Sequence, residues 1–225
     1  MTQLTTKRDE PFQLGTVALL LVDMQRVWLE PGLDPGHPEW TSDHYFYREV
    51  SSRVIPNQRG LLESARRAGV EVIHTIIQSL TQNGRDRSLD HKLTPTHVPP
   101  DAPEAHPIAL LAPVGDEILL KKTSSGVFNS TNVDYILRNL GVRHLVIAGI
   151  VTDQCVDMAV RDAADRGYLV TCAGDACAAP TPERHLHGLR VMSGYCWMTD
   201  TATVIRRFDA LRPEVDLPRI EQNDR

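Results

Sequence analysis

The stretch Leu145–Tyr168, LVIAGIVTDQCVDMAVRDAADRGY, decides the fold. Its first six residues form an apolar run, which is typical of a parallel strand covered on both faces. The segment Cys155–Arg166 that follows has helical periodicity and ends at Gly167, a residue that commonly terminates helices. Its apolar positions are Val156, Ala159, Val160 and Ala163. A second apolar run, Tyr168–Cys172, comes next, so the stretch predicts a parallel strand–helix–strand unit.

The same alternation of strands and helices extends over the rest of the chain. The pattern predicts further strands at Val17–Val22, Val70–Ile77 and Glu117–Leu120. It also predicts three helices, of which the first has a break near Pro56 and ends at Gly69. These helices are Tyr45–Ala68, Asn132–Leu140 and Pro182–Met192.

Two segments are less regular. Thr201–Ile205 fits either a last strand or a last helix, and Ser79–Gly115 lacks periodicity and is rich in Pro, Asp and His. A segment of that length without regular structure is typical of a lid or binding loop. The chain as a whole predicts a three-layer α/β/α fold around a Rossmann-like, mostly parallel sheet of about six strands. We expect one domain over residues 1–225, with an N-terminal arm at 1–14 and a polar tail at 216–225.

The composition disfavours several classes of partner. The 24 Lys and Arg residues are outnumbered by 29 Asp and Glu, which gives a net charge of −5 and no basic stripe for nucleic acid. The longest apolar runs are far shorter than the ~20 residues of a membrane-spanning helix, and the first residues lack a secretory signal. None of the four cysteines forms a C-x-x-C pair. We therefore expect a cytoplasmic protein with reduced thiols that binds neither nucleic acid nor membrane.

Three polar residues fall where predicted strands end. Asp23 follows the first strand, Lys122 follows the third, and Cys155 opens the helix after LVIAGI. Ligands of open parallel sheets bind outside the carboxyl ends of the strands, so these side chains are expected at one edge. Taken singly, each residue also has an ordinary interpretation as a helix cap, a surface charge or a buried thiol. Only their joint arrangement favours catalysis.

The three residue types suit nucleophilic catalysis by a thiol. A free cysteine has a pKa of ~8.5 and needs activation at neutral pH, which a helix N-terminus and the Lys122 ammonium would assist. Asp23 is the candidate acceptor of the thiol proton and its donor to a leaving nitrogen. Backbone N–H groups of the turn Val151–Cys155, with Val151, Thr152 and Cys155 as the candidate residues, would form an oxyanion hole.

Three segments resemble the isochorismatase-like cysteine hydrolases, which include nicotinamidases, N-carbamoylsarcosine amidases, ureidoacrylate amidohydrolases and biuret hydrolases. They are LLLVDMQ around Asp23, LLKKTSSGVFNSTNVDYIL around Lys122 and GIVTDQCVDMAVRDAADRGY around Cys155. The resemblance extends roughly over residues 14–207. It implies an Asp23–Lys122–Cys155 catalytic triad and a cis peptide bond between Val151 and Thr152.

Within that superfamily the sequence favours one branch. Isochorismatases proper lack the cysteine, and the zinc-binding Asp-x-His of nicotinamidases has no counterpart after the second predicted strand. His185 and His187 are two apart on a predicted helix, so their rings point apart and do not suit one metal ion. We expect no metal and no cofactor. The resemblance then implies a cysteine-dependent amidohydrolase that releases ammonia from a biuret, triuret, ureidoacrylate or N-carbamoyl amino acid.

Each candidate substrate-binding residue also suits a structural role. The candidates are Gln25, Arg85, Arg87, Phe128, Asn129 and Tyr195. The two arginines suit a carboxylate or ureido oxygens, but they also suit an exposed Arg-Asp-Arg cluster. The aromatic residues suit the core, and Asn129 suits a helix cap.

Two other readings of the function stay open. One is another small-amide hydrolase of the superfamily, nicotinamidase-like in its substrate. The other is a non-catalytic binding or sensing protein in which Cys155 is a redox thiol. The expected partner is a small ureide or amide, and we expect a homodimer or homotetramer.

Overall fold

The computed structural model describes residues 7–94 and 96–211. The predicted polar tail, 216–225, and the first six residues of the predicted arm lie outside these ranges. Within them the chain forms a six-stranded parallel sheet with the order β3-β2-β1-β4-β5-β6. The strands are β1 (Val17–Val22), β2 (Glu71–Ile77), β3 (Ile118–Lys122), β4 (His144–Ile150), β5 (Leu169–Ala178) and β6 (Trp197–Thr199).

Helices cover both faces of this sheet. They are α1 (Arg26–Leu29), α2 (Tyr45–Glu49), α3 (Ile55–Ala68), α4 (Leu89–Leu93), α5 (Val127–Ser130), α6 (Val133–Asn139), α7 (Asp157–Asp165), α8 (Pro182–Met192) and α9 (Thr201–Asp209). The central strands β1 and β4 are buried along their whole length, as strands with helices on both faces must be. The predicted three-layer α/β/α fold is therefore confirmed.

Most of the predicted elements are present, with small shifts of their ends. The long first helix is one continuous path in which the π-helical turn Val50–Val54 joins α2 to α3, and Gly69 ends it in the left-handed conformation. Pro56 lies in the first turn of α3, directly after the π-helical turn, and has no N–H to donate back into it. The segment that begins at Thr201 is a helix. The excursion 79–115 contains α4 and two short 3₁₀ turns, Pro103–Ala105 and Ala109–Leu111.

Strand β5 is longer than its apolar pattern predicts. Its second half, AGDACA, consists mostly of small residues, and its pairing with β4 resumes at Cys177 after a bulge. Side chains from the helical path bind the carbonyl groups of this bulge: Arg53 and Asn57 donate to Asp175 at 2.7 and 2.9 Å, and Gln58 donates to Ala176 at 2.8 Å. These tertiary hydrogen bonds, which no local pattern encodes, satisfy the irregular backbone.

Gly149 allows a close approach of β4 to β1 near the end of β4, the strand that leads to Cys155. Its φ is +142°, and a Cβ atom there would lie 2.3 Å from the carbonyl oxygen of Val22. We expect Gly149→Ala to lower the free energy of unfolding by about 3 kcal/mol, because both the conformation and the contact exclude a side chain. Urea denaturation measures the loss. Gly36→Ala in an exposed loop is the control, and an equal effect of the two changes would contradict the argument.

Candidate active site

Asp23, Lys122 and Cys155 meet at the carboxyl edge of the sheet. Asp23 follows β1, Lys122 ends β3, and Cys155 lies in the turn after β4, so the lysine reaches past the end of β2 to meet the other two. The Lys122 Nζ atom lies 2.7 Å from Asp23 Oδ2 and 3.4 Å from Cys155 Sγ. All three side chains are buried, with exposed fractions of 1% for Asp23, 0% for Lys122 and 5% for Cys155.

Asp23 is held in place by its backbone and by β2. Its φ is +56°, a conformation uncommon for a residue other than glycine. Its N–H donates to the Thr75 carbonyl at 3.1 Å, and the Thr75 hydroxyl donates to Asp23 Oδ1 at 2.8 Å. One carboxylate oxygen therefore faces Thr75 and the other faces Lys122. Thr75 was not among the residues expected from the sequence, although a threonine within the apolar run of β2 was a visible signal.

Lys122 is an enclosed ammonium group with several acceptors. Besides Asp23 and Cys155, it donates to the carbonyl oxygens of Ser124 and Ser125 at 3.0 and 3.1 Å. Burial by itself would lower the pKa of Lys122, but the neighbouring Asp23 carboxylate and Cys155 outweigh it and raise the pKa above its ordinary value. The lysine is therefore a permanent cation beside the sulfur atom.

The Cys155 thiol is protonated at neutral pH. Burial raises its pKa to about 11, and the Asp23 carboxylate adds to the rise, while Lys122 lowers it only in part. Lys122 therefore favours the thiolate, as expected from the sequence, but desolvation of the sulfur outweighs its effect. Attack then requires a base that removes the proton.

The turn that carries Cys155 differs in one detail from its prediction. The cis peptide bond joins Ile150 and Val151, one residue earlier than expected. The carbonyl of Val151 already accepts hydrogen bonds from the N–H groups of Gln154 and Val156, at 3.1 and 3.3 Å, so the bond from Val151 to Thr152 belongs to the π-helical turn. These two N–H groups are occupied, and neither belongs to the predicted oxyanion hole.

Helix α8 supports this turn through contacts that the sequence did not reveal. The Thr152 hydroxyl lies 2.9 Å from His185 Nδ1, and Arg184 forms a two-pronged ion pair with Asp153 at 2.6 and 3.2 Å. A Cβ atom at Gly188 would lie 3.2 Å from Asp153, so a glycine permits this close packing. Burial lowers the pKa of His185, which keeps its ring neutral at pH 7.

A cleft of about 500 Å³ lies close to the three residues, although none of them is part of its lining. Its lining consists of Asp86, Ser88, Asp90, Thr123, Ser124, Ser125, Asn129, Ser130 and Met158. Ser124 and Ser125 supply the carbonyl groups that hold Lys122, and Met158 lies one helical turn after Cys155. His91 was not expected from the sequence. It is 3% exposed, its Nε2 lies 3.2 Å from the Ser125 hydroxyl, and its buried Nδ1 has no hydrogen-bond partner in the described part of the chain.

Of the predicted substrate-binding residues, Asn129 lines the cleft and four others have structural contacts elsewhere. Gln25 uses its whole amide within the fold: it donates to the carbonyl groups of Ile77 and Ala105 and accepts from Ile77 and Trp28. Arg87 donates to three carbonyl groups of the excursion, those of Gly84, His91 and Thr96.

The aromatic candidates do not reach the cleft. Phe128 is buried against Tyr168, with 6.2 Å between ring centroids. Tyr195 precedes β6 and stacks under Arg161, so it belongs to the amino edge of the sheet, opposite the site. Arg85 is exposed, and its guanidinium donates to Asn83 Oδ1 at 3.4 Å.

Within residues 7–94 and 96–211, no group of three His, Cys, Asp or Glu side chains has the geometry to hold a metal ion. His185 is turned to Thr152, and His187 is exposed on the other side of α8. In the same part of the chain, no helix is long and apolar enough to cross a membrane.

The fold and the site together define a class: three-layer α/β proteins with a buried cysteine, lysine and aspartate at the carboxyl edge of the sheet. The sequence profile of the isochorismatase domain matches residues 17–203, and the chain belongs to the isochorismatase family.

Relatives and solved structures agree with this assignment. The chain is 29% identical to the ureidoacrylate amidohydrolase RutB of Caulobacter segnis, over 92% of each chain. It is 30% identical to the enzyme of the same name from Agrobacterium fabrum, over 75% of this chain and 79% of that one. A crystal structure of a cysteine hydrolase from Pseudomonas syringae superposes with a TM-score of 0.77 at 26% identity, over 94% of this chain and all of the other.

Proposed function

We propose that this protein is a cysteine-dependent amidohydrolase that cleaves a C–N bond of a small carbamoyl or ureido compound and releases ammonia. The observation that carries the proposal is the buried contact of Lys122 Nζ with both Asp23, at 2.7 Å, and Cys155 Sγ, at 3.4 Å. A nucleophile, a base and a fixed cation within hydrogen-bond reach of one another are the parts that acyl transfer through a thiol requires.

Asp23 is the proton carrier in this mechanism. Because the resting thiol is protonated, the proton passes from Cys155 to Asp23 as the sulfur forms its bond to the carbamoyl carbon. The tetrahedral intermediate then breaks its C–N bond, and Asp23 gives the proton to the departing nitrogen, which leaves as ammonia. Water, deprotonated by Asp23, attacks the remaining thioester carbon, and the proton returns to the sulfur as the acid product leaves.

Lys122 and the backbone of the turn supply electrostatic stabilisation. The ammonium group carries a full positive charge against the sulfur, and this interaction strengthens when negative charge develops there. The oxyanion would be bound by backbone N–H groups of Val151, Thr152 and Cys155, since those of Gln154 and Val156 are occupied. His185 and Thr152 would hold that turn in position from α8.

The relatives support the type of bond that is cleaved. Proteins named as ureidoacrylate amidohydrolases match 92% or 75% of this chain, and hydrolysis of C–N bonds is the chemistry that their name describes. Biuret, triuret, ureidoacrylate and N-carbamoyl amino acids share the carbamoyl group that Cys155 would attack. A cytoplasmic homodimer or homotetramer built from a single domain remains our prediction for the assembly.

The direct test is ammonia release by purified protein on a panel of biuret, triuret, ureidoacrylate, N-carbamoylsarcosine and nicotinamide, with and without prior EDTA treatment. We expect turnover of at least one carbamoyl compound, undiminished by EDTA. Turnover of nicotinamide alone would favour the nicotinamidase-like reading. No turnover of any compound on the panel would contradict the proposal.

A further inference from the structure

The charged side chains that line the cleft near Cys155 are all acidic. Two of its lining residues are Asp86 and Asp90, and within the described part of the chain no lysine or arginine lines it. Partial desolvation would raise the pKa of Asp86, but hydrogen bonds from the Thr81 hydroxyl and from the Leu80 and Thr81 backbone lower it to about 2. Asp90 is exposed on the first turn of α4. The cleft is therefore acidic at neutral pH.

The positively charged residues next in sequence to the lining of the cleft have other contacts. Arg87 donates through Nε and Nη1 to three backbone carbonyl groups of the excursion, and Lys122 is enclosed and paired with Asp23. Arg85 is exposed beside Asn83. None of these three cations belongs to the lining of the cleft, so none is placed there to receive a carboxylate.

The hydroxyl groups of the cleft also favour one kind of ligand. The Ser124 and Ser130 hydroxyls both donate to the Gly126 carbonyl, at 3.2 and 3.0 Å, so toward the cleft their oxygens are acceptors. Together with the two carboxylates they give the wall several hydrogen-bond acceptors, beside the hydroxyls of Ser88, Thr123 and Ser125 and the Asn129 amide, which can also donate. The N–H groups of a ureide or amide are donors and complement this wall, whereas a carboxylate brings only acceptors and a like charge.

We propose that this cleft selects carbamoyl substrates whose far end is uncharged or cationic and that it rejects those that carry a carboxylate. The inference rests on the proposed function, in which the substrate reacts at Cys155. It sets this chain apart from the relatives named for ureidoacrylate, a carboxylate. Biuret-like ureides and carbamoylated amides or amines fall in the favoured class.

Turnover tests the proposal with a pair of substrates that differ in charge at one end, N-carbamoylglycinamide and N-carbamoylglycine. We expect kcat/KM to be higher for the amide than for the carboxylate by about tenfold or more. The reason is that the two aspartates repel a negatively charged substrate at short range in partly solvated surroundings. Asp90→Asn should reduce this preference severalfold. Asp116→Asn is the matched control, since it removes the same charge from an exposed residue of a separate surface groove and should leave the preference unchanged.

A second readout does not depend on turnover. Iodoacetamide and iodoacetate are a neutral and an anionic reagent for the same thiol, and mass spectrometry follows the alkylation of Cys155 by each. Relative to glutathione, we expect the protein to favour iodoacetamide by about tenfold, and Asp90→Asn, but not Asp116→Asn, to reduce that preference. In unmodified protein, raising the salt concentration from 20 to 300 mM should also reduce the preference for iodoacetamide severalfold, since salt screens exposed charges.

The outcomes separate the two proposals. The inference would be overturned if N-carbamoylglycine were hydrolysed as fast as N-carbamoylglycinamide. It would also be overturned if the ratio of the two alkylation rates equalled that of glutathione and did not change with Asp90→Asn or with salt. Either result would leave the amidohydrolase proposal standing. Alkylation that favours iodoacetamide through Asp90, without hydrolysis of any carbamoyl compound, would support the charge selection and contradict the proposed activity.

Discussion

Cys155→Ala is expected to lower kcat/KM for carbamoyl hydrolysis by about 10⁴-fold or more, because it removes the atom that forms the covalent intermediate. The protein should remain folded, since the change deletes one small buried atom and leaves the Lys122–Asp23 ion pair in place. Ammonia release under saturating and subsaturating substrate measures the loss, and thermal denaturation measures the fold. Mass spectrometry of unmodified protein quenched during turnover should show an adduct on Cys155.

Cys196→Ala is the matched control for this change. Cys196 is also a buried thiol, 3% exposed, but it lies in the hydrophobic core just before β6, and its thiol donates to the Met192 carbonyl at 3.4 Å. Its replacement should leave kcat/KM within about threefold and cost a little stability through the small cavity. Equal losses of activity in the two variants would point to a general effect on the fold and remove the assignment of Cys155 as nucleophile.

The second large effect concerns the buried ion pair. Lys122→Met leaves the Asp23 carboxylate buried without its cation, so we expect the free energy of unfolding to fall by about 3–5 kcal/mol. Combining it with Asp23→Asn removes the stranded charge, and the double variant should be more stable than the sum of the single losses predicts, by about 2 kcal/mol. Urea denaturation of the four proteins measures this coupling. Additive losses would contradict a direct pairing.

The same variant has a consequence for pH dependence. Lys122 lowers the pKa of Cys155, which burial nevertheless raises to about 11, so Lys122→Met should raise that pKa further. In the unmodified protein the rate of Cys155 alkylation should increase about tenfold per pH unit between pH 7 and 9, because the thiolate fraction does. The variant should follow the same slope at lower rates. A plateau near pH 7 in the unmodified protein would show that the thiol ionises far below the value that its burial dictates.

Much of the fold was predictable because its signals are local. The apolar runs of β1 and β4 and the capped helix α8 follow from neighbouring residues, and their bounds agree with the structure to within one residue. Strand β6 has three residues and α1 and α5 have four each, too short for a periodic pattern, so all three were missed. The second half of β5 was missed because hydrogen bonds from Arg53, Asn57 and Gln58, rather than β-propensity, stabilise it.

For the site, the sequence by itself determined that an aspartate, a lysine and a cysteine end strands of one parallel sheet, since parallel topology places such ends at the same edge. Only the tertiary structure decided the rest. It buried the thiol and so raised its pKa, and it brought Thr75 to Asp23 and His185 to Thr152. It also turned Gln25 and Arg87 inward to backbone carbonyl groups. Burial and contacts between distant segments depend on how the whole chain packs, and local patterns do not carry that information.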